Sequence, residues 1–218
     1  RIVSRADLIG GPGALGEVGD FLLENDKIRV VIQDKGFSRG FGVYGGSLID
    51  ADLVRATPAG NSDGGTGRDQ FGELFPIFFL EAMVPDAVEV LSDGSDGGPA
   101  RVRVRGTGGD FLTLTKVLNQ VILNSHEFAG ELFAPTFLPD KLQGDAKLEF
   151  SVVYSLEPGA RYVTIESTLT NLTNAPLAIP SREAQSILQL LLGLGTFDVP
   201  LGHALLFGAG NTAFAPGA

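Results

Sequence analysis

The sequence predicts an all-β protein, a large antiparallel β-sandwich with at most one short helix. Three observations carry this. Residues 147–179, KLEFSVVYSLEPGARYVTIESTLTNLTNAPLAI, alternate apolar and polar positions on both sides of a Glu-Pro-Gly turn. Residues 100–106, ARVRVRG, alternate strictly. The aromatic bulk is 15 Phe with no Trp, which suits a packed sandwich interior more than a sugar-stacking platform built from rings with a polar edge.

In the 147–179 segment, Leu148, Phe150, Val152 and Tyr154 share one strand face. On the next strand Tyr162, Thr164, Glu166 and Thr168 oppose Val163, Ile165, Ser167 and Leu169. A period of two is the signature of a pleated strand. Pro158 supplies a fixed φ and Gly159 a permissive residue for the turn between them.

The remaining elements follow in chain order. Residues 1–19 begin with a short polar–apolar run and become glycine-rich. Residues 21–33, FLLENDKIRVVIQ, read as two strand pieces around an Asn25-Asp26 turn, because both residues tolerate the left-handed region and bond their own backbone. Residues 36–46 are glycine-dense and aromatic. Residues 47–55 read as a strand with imperfect alternation, Leu48, Asp50 and Asp52 against Ile49, Ala51 and Leu53. Residues 57–70 form a polar Gly/Asp loop. Residues 71–83 are the most apolar stretch, with Pro76 inside, which points to an edge strand or a bend. Residues 87–91 and 100–106 pair as a hairpin, Val102 and Val104 inward and Arg101, Arg103 and Arg105 outward. Residues 111–123 continue as strand and 124–143 read as loop with short strand or helix. Residues 181–194 are the helix candidate, with Pro180 before it, Ser181 as cap and Glu183 in its first turn; a buried strand competes at its Leu-rich end. Residues 201–214 read as strand–turn–strand around Gly208-Ala209-Gly210-Asn211. No repeat or linker divides residues 1–218, so one domain is expected. A first residue other than Met and a loop-like end at Ala218 suggest a processed part or fragment of a longer chain.

Charge and composition exclude several functions. With 16 Lys and Arg against 26 Asp and Glu the net charge is −10, the wrong sign for a phosphate-backbone or polybasic membrane contact. No cysteine is present, which removes disulfides, thiol catalysis and Cys-ligated zinc. No apolar run reaches the ~20 residues of a membrane-spanning helix, so no membrane insertion within this chain is expected.

Two groups of residues resemble the galactose-mutarotase-like supersandwich, shared by aldose epimerases and by domains of glycoside hydrolases and polysaccharide lyases. The first is Glu24-Asn25-Asp26-Lys27-Ile28-Arg29-Val30-Val31-Ile32 followed by Gly45-Gly46-Ser47-Leu48-Ile49-Asp50. The second is Val153-Tyr154-Ser155-Leu156, then Tyr162-Val163-Thr164-Ile165-Glu166, then Leu169-Thr170-Asn171-Leu172-Thr173-Asn174-Ala175-Pro176-Leu177. The resemblance spans residues 20–180. Residues 19–26, GDFLLEND, are also similar to a segment of large secreted proteins and lipoproteins of predatory and social soil bacteria, which implies an extracellular, cell-surface or periplasmic location. The epimerase chemistry implied by the family needs a His acid and a Glu base, and neither His126 nor His203 carries the surrounding pattern.

Each candidate site has a functional and a plain reading. Gly11-Pro12-Gly13-Ala14-Leu15-Gly16 matches G-x-G-x-x-G, but a dinucleotide site needs a strand before it and a helix after it, and β-type sequence follows here. Asp93 and Asp96, with Asp63 and Asp69 in a second loop, offer oxygens to Ca²⁺, which takes roughly six to eight; Asp and Gly also fill tight turns for conformational reasons. His126 with Glu127 and Glu131, or His203, would serve acid–base chemistry, against plain loop and strand-end roles. Glu81 beside an apolar run is a candidate buried carboxylate. Arg101, Arg103 and Arg105 form a basic row suited to an acidic sugar or to the chain's own carboxylates. Phe37, Phe41 and Tyr44 suit a binding-loop tip or a fold-back onto the core.

The expectation is a non-catalytic domain of an exported bacterial protein with a structural, adhesive or glycan-binding role, its partners glycans or other protein subunits. A carbohydrate-active enzyme and a self-associating surface-layer or filament subunit stand beside it. In the latter, the apolar strand at residues 75–80 would pair with a neighbouring copy.

Overall fold

The computed structural model describes residues 1–40, 42–54, 67–78, 81–110, 147–174 and 209–214. Among the described residues the fold is all-β apart from one 3-10 turn, and every strand pairing is antiparallel. Its strands are β1 (Phe21–Glu24), β2 (Ile28–Ile32), β3 (Leu48–Leu53), β4 (Glu73–Phe78), β5 (Glu81–Asp93), β6 (Ala100–Asp110), β7 (Leu148–Leu156), β8 (Thr164–Asn171) and β9 (Ala209–Phe214). Strands β1 to β8 pair in sequence order, and β9 pairs with β4. The β4–β5 junction is only two residue pairs long, Ile77 with Ala82 and Phe78 with Glu81. The meander therefore divides into two groups of four, β1–β4 and β5–β8, that face each other across one core.

Alternation explains the core. Leu148, Phe150, Val152, Tyr154 and Leu156 of β7 are buried, as are Val102 and Val104 of β6. They meet Phe21 and Leu23 of β1 and Ile28, Val30 and Ile32 of β2 in one apolar cluster. A second, smaller cluster lies on the opposite face of β2 and β3, where Val31 and Ile49 pack against Ile2 and Ile9. Strand β2 is thus buried on both faces, which accounts for its almost unbroken apolar run. A short 3-10 turn (Arg5–Asp7) shapes the covering segment; Ser4 and Asp7 form a reciprocal capping box around it.

The structure corrects several expectations. β4 is an interior strand: β9 pairs along its whole length, while β3 reaches Leu74 and β5 reaches Ile77. Pro76 falls between those two short pairings, where a missing N–H costs least. This pairing with β9 also occupies residues 75–78 within the chain, the strand expected to recruit a neighbouring copy. Gly210 and Asn211 lie inside β9, opposite Ile77 and Pro76, and not in a turn. In β3 a bulge at Ile49 breaks the alternation: Leu48 and Ala51 face the main core, whereas Asp50 sits opposite Val31 on the other face. Tyr162 belongs to the β7–β8 connection, since β8 begins at Thr164.

The central hairpin is longer than the alternating run alone indicates. β5 and β6 pair from Glu81–Asp110 to Asp93–Ala100, with bulges at Asp86 and Leu91. Pro85 is accommodated beside the first bulge. Its partner Gly106 cannot be replaced without collision, because a Cβ there would lie 1.9 Å from the Val84 carbonyl oxygen. The helix candidate at 181–194, the strand at 111–123 and the loop at 124–143 lie outside the described residues.

Candidate functional site

A cleft of about 500 Å³ opens between the inner face of β2–β3–β4 and the β7–β8 connection. Ile28, Val30, Leu48 and Leu74 form its apolar floor, and Arg161 and Tyr162 supply its polar and aromatic groups; Asp52 borders it through β3, but its carboxylate lies on the opposite face, where it accepts from Arg68 N–H. Tyr162 is 66% exposed at the rim of the cleft. Local hydrogen bonds explain how the connection comes to lie there. Glu157, Pro158, Gly159 and Ala160 make a tight turn in which Ala160 N–H donates to the Glu157 carbonyl and Gly159 has φ of +72°. The Asn25 amide donates to the carbonyls of both Glu157 and Ala160 at 2.9 Å. The same side chain's oxygen accepts from Lys27 and Ile28 N–H, closing the β1–β2 turn. One residue therefore clamps two turns from opposite layers and places Arg161 and Tyr162 at the cleft.

The glycine loop at residues 36–46 is organised from beneath by Glu73. This carboxylate is fully buried and accepts from the hydroxyls of Ser38 at 2.7 Å and Ser47 at 2.6 Å, and from Gly42 N–H. Glycines are required at the contact: a Cβ on Gly40 would lie 2.5 Å and one on Gly42 2.8 Å from the Glu73 oxygens. Gln33, also buried, donates to the Phe37 carbonyl and accepts from Arg39 N–H. Tyr154 lies below, donating to the Gly46 carbonyl; burial first, and then the charge of Glu73, push its phenol far above the ordinary range. Phe37 bridges Tyr44 across the loop and is 81% exposed, so it stands at the tip and does not fold onto the core.

The other candidates are dispersed. Arg103 and Arg105 both bind Glu89, at 2.6 and 2.8 Å, and these hydrogen bonds hold the Glu89 carboxyl below its usual range. Arg101 is an exposed neighbour on the same strand. Asp93 accepts from Ser95 N–H and Asp96 from Gly98 N–H, each closing its own turn. The Ser95 bonds hold Asp93 below the ordinary carboxylate range. No group of three or more metal-ligating side chains occurs among the described residues. Phe41, Asp63, His126, Glu127, Glu131, His203 and the Glu81 side chain lie outside the described residues.

Sequence reasoning missed a set of buried acids: Asp20, Asp50 and Glu73, which join Asp69 in being at most 2% exposed. Asp20 accepts from Glu17 and Asp34 N–H and pairs with Arg39. Asp50 accepts from Leu15 and Gly16 N–H. The G-x-G-x-x-G run is thus a carboxylate-bound strap rather than a phosphate cradle. No local pattern marks these acids in the sequence, because many of their donors are backbone N–H groups remote in the chain: Asp34 for Asp20, Leu15 and Gly16 for Asp50, and Gly42 for Glu73.

No protein-family model, curated protein or solved structure matches this chain.

Proposed function

We propose that this chain is a non-catalytic, glycan-binding domain of an exported bacterial protein, with an adhesive role, on a sandwich related to the galactose-mutarotase-like folds. The observation that carries the reading is the cleft at the β7–β8 connection. Its volume of about 500 Å³ falls within the roughly 300–1,000 Å³ of small-molecule sites. An apolar floor with a few convergent polar groups is the usual composition of such sites. Tyr162 offers a ring face to the C–H side of a sugar, while Arg161 offers donors and the exposed backbone of the β7–β8 connection offers acceptors to hydroxyls. A saccharide end has both kinds of surface.

The test is a screen of the purified chain against neutral and acidic polysaccharides, followed by titration of any hit. Saturable binding that weakens at least ~10-fold in Tyr162→Ala, and is unchanged in His126→Ala and His203→Ala, supports a non-catalytic site. Turnover of the bound glycan that those histidine variants abolish would replace this reading with an enzyme. Absence of binding at ~0.1 mM protein, a concentration that detects even affinities of about −5 kcal/mol, would remove the glycan reading.

A further inference from the structure

We propose that Asp50 and Asp69 share a single proton, and that this proton latches the glycine-rich strap of residues 10–17 onto β3. Both oxygens of Asp50 are already acceptors, from Leu15 N–H at 2.7 Å and Gly16 N–H at 2.9 Å, so Asp50 is the ionised member. Asp69 Oδ1 accepts from Phe71 N–H at 2.8 Å and Ala51 N–H at 3.3 Å. Asp69 Oδ2 is fully buried and has no donor facing it. Between two ionised carboxylates there are only acceptors, and a buried orphan acceptor is costly. A proton on Asp69 Oδ2 turns it into a donor, and the neighbour within hydrogen-bonding reach is Asp50.

The surroundings favour that proton. Asp52 faces Asp69 and Asp20 faces Asp50, both with negative charge. Arg39 is spent on Asp20, Glu17 and the Leu15 carbonyl, and Arg68 is exposed. Burial, with this like-charge crowding, raises Asp69 to about 6.

The strap has no slack with which to absorb a second charge. Gly13 N–H donates to the Asp69 carbonyl, and Asp69 N–H to the Gly10 carbonyl. A Cβ on Gly11 would lie 2.2 Å from Asp69 N, and one on Gly16 2.6 Å from Asp50 Oδ2. When the shared proton leaves, repulsion between the carboxylates is relieved by lifting the strap. That motion uncovers the small cluster of Ile2, Ile9, Val31 and Ile49 beneath it. The latch is closed in mild acid and loosens as pH rises through about 6 toward neutrality.

The test uses the full chain. The carboxyl carbon of Asp69 is titrated by NMR, and amide exchange at Leu15 and Gly16 is followed from pH 5 to 8 after correction for intrinsic exchange rates. A midpoint near the value above, with protection at both amides falling roughly tenfold or more across it, is expected. Asp69→Asn carries a permanent amide donor in place of the proton and should hold protection constant over the same range. An Asp69 midpoint below about 4.5, or corrected protection independent of pH in the wild type, would overturn the latch whether or not the variant folds.

Discussion

The Asn25 side-chain amide donates to the Ala160 carbonyl at 2.9 Å, joining a turn of one layer to a turn of the other. Its second bond, to the Glu157 carbonyl, uses its other hydrogen, and its oxygen is filled by Lys27 and Ile28 N–H. Asn25→Asp keeps the oxygen's role in the β1–β2 turn but removes both donors and sets a carboxylate against two carbonyls. The expected cost is ~1–3 kcal/mol in denaturant unfolding. Because Arg161 and Tyr162 follow this turn, glycan affinity should fall further than stability alone explains. A variant with unchanged unfolding midpoint would show that the clamp contributes nothing.

Glu73 is the peg on which the 36–46 loop hangs. It gathers Ser38, Ser47 and Gly42 onto one buried carboxylate, and no neutral side chain of that size accepts so many bonds. Glu73→Gln places an amide hydrogen against donors and should destabilise by ~1–3 kcal/mol. Glu73→Ala should do more, and should expose the loop to proteolysis near Phe37 before global unfolding. Cleavage only on global unfolding would mean the loop is held by other contacts. Gly42→Ala is expected to resemble Glu73→Gln, since its Cβ would press on the same oxygens.

Period-two patterning revealed the strands because it reports a purely local fact, which side of a pleat each residue occupies. Val102 and Val104, and the whole inward set of β7, were visible in this way. Where pairing shifts, local pattern misleads: the Ile49 bulge turns Asp50 toward the strap, and only the β2–β3 register shows it. The same limit hid Pro76, whose place in an interior strand depends on β9, about 130 residues away in sequence. The buried acids were illegible for a related reason. Asp20, Asp50 and Glu73 look like solvated residues because donors that satisfy them lie far off in sequence: Asp34 N–H and Arg39 for Asp20, Leu15 and Gly16 N–H for Asp50, and Gly42 N–H with the Ser38 and Ser47 hydroxyls for Glu73. Phe37 was legible as a loop-tip aromatic, whereas the cleft rim at Arg161 and Tyr162 read as ordinary turn and strand.

The basic row on β6 should not bind acidic sugars. Arg103 and Arg105 converge on Glu89, so an anionic ligand would have to displace an intramolecular carboxylate. Arg103→Ala is expected to leave affinity for any anionic polysaccharide within about twofold, and a half-exposed ion pair of this kind implies little change in unfolding midpoint. A loss of binding beyond about tenfold in this variant, at constant ionic strength, would return the row to the list of binding surfaces.

Global stability should be greater at pH 5 than at pH 7.5. Asp69 is raised from 3.8 to about 6 on folding, chiefly by burial, so between those values the native state holds a proton that the unfolded chain has lost. Stability therefore falls as pH rises when the native state binds more protons. The contribution is fully present below the unfolded value and is lost as pH passes through about 6. Asp50 is shifted in the same direction, also chiefly by burial. Glu89 and Asp93 are shifted downward, so their contributions vanish only on further acidification, below the usual carboxylate range. Together these place the optimum in mild acid. A rise from 3.8 to about 6 corresponds to at most ~3 kcal/mol, and for a chain of this size each kcal/mol moves Tm by roughly 2–4 °C. Asp69→Asn removes the titrating group while keeping a donor. Its Tm should vary less between pH 5 and 7.5 and exceed the wild type's at the higher pH. A wild-type Tm that rises from pH 5 to 7.5 would show that Asp69 is already ionised in the folded chain.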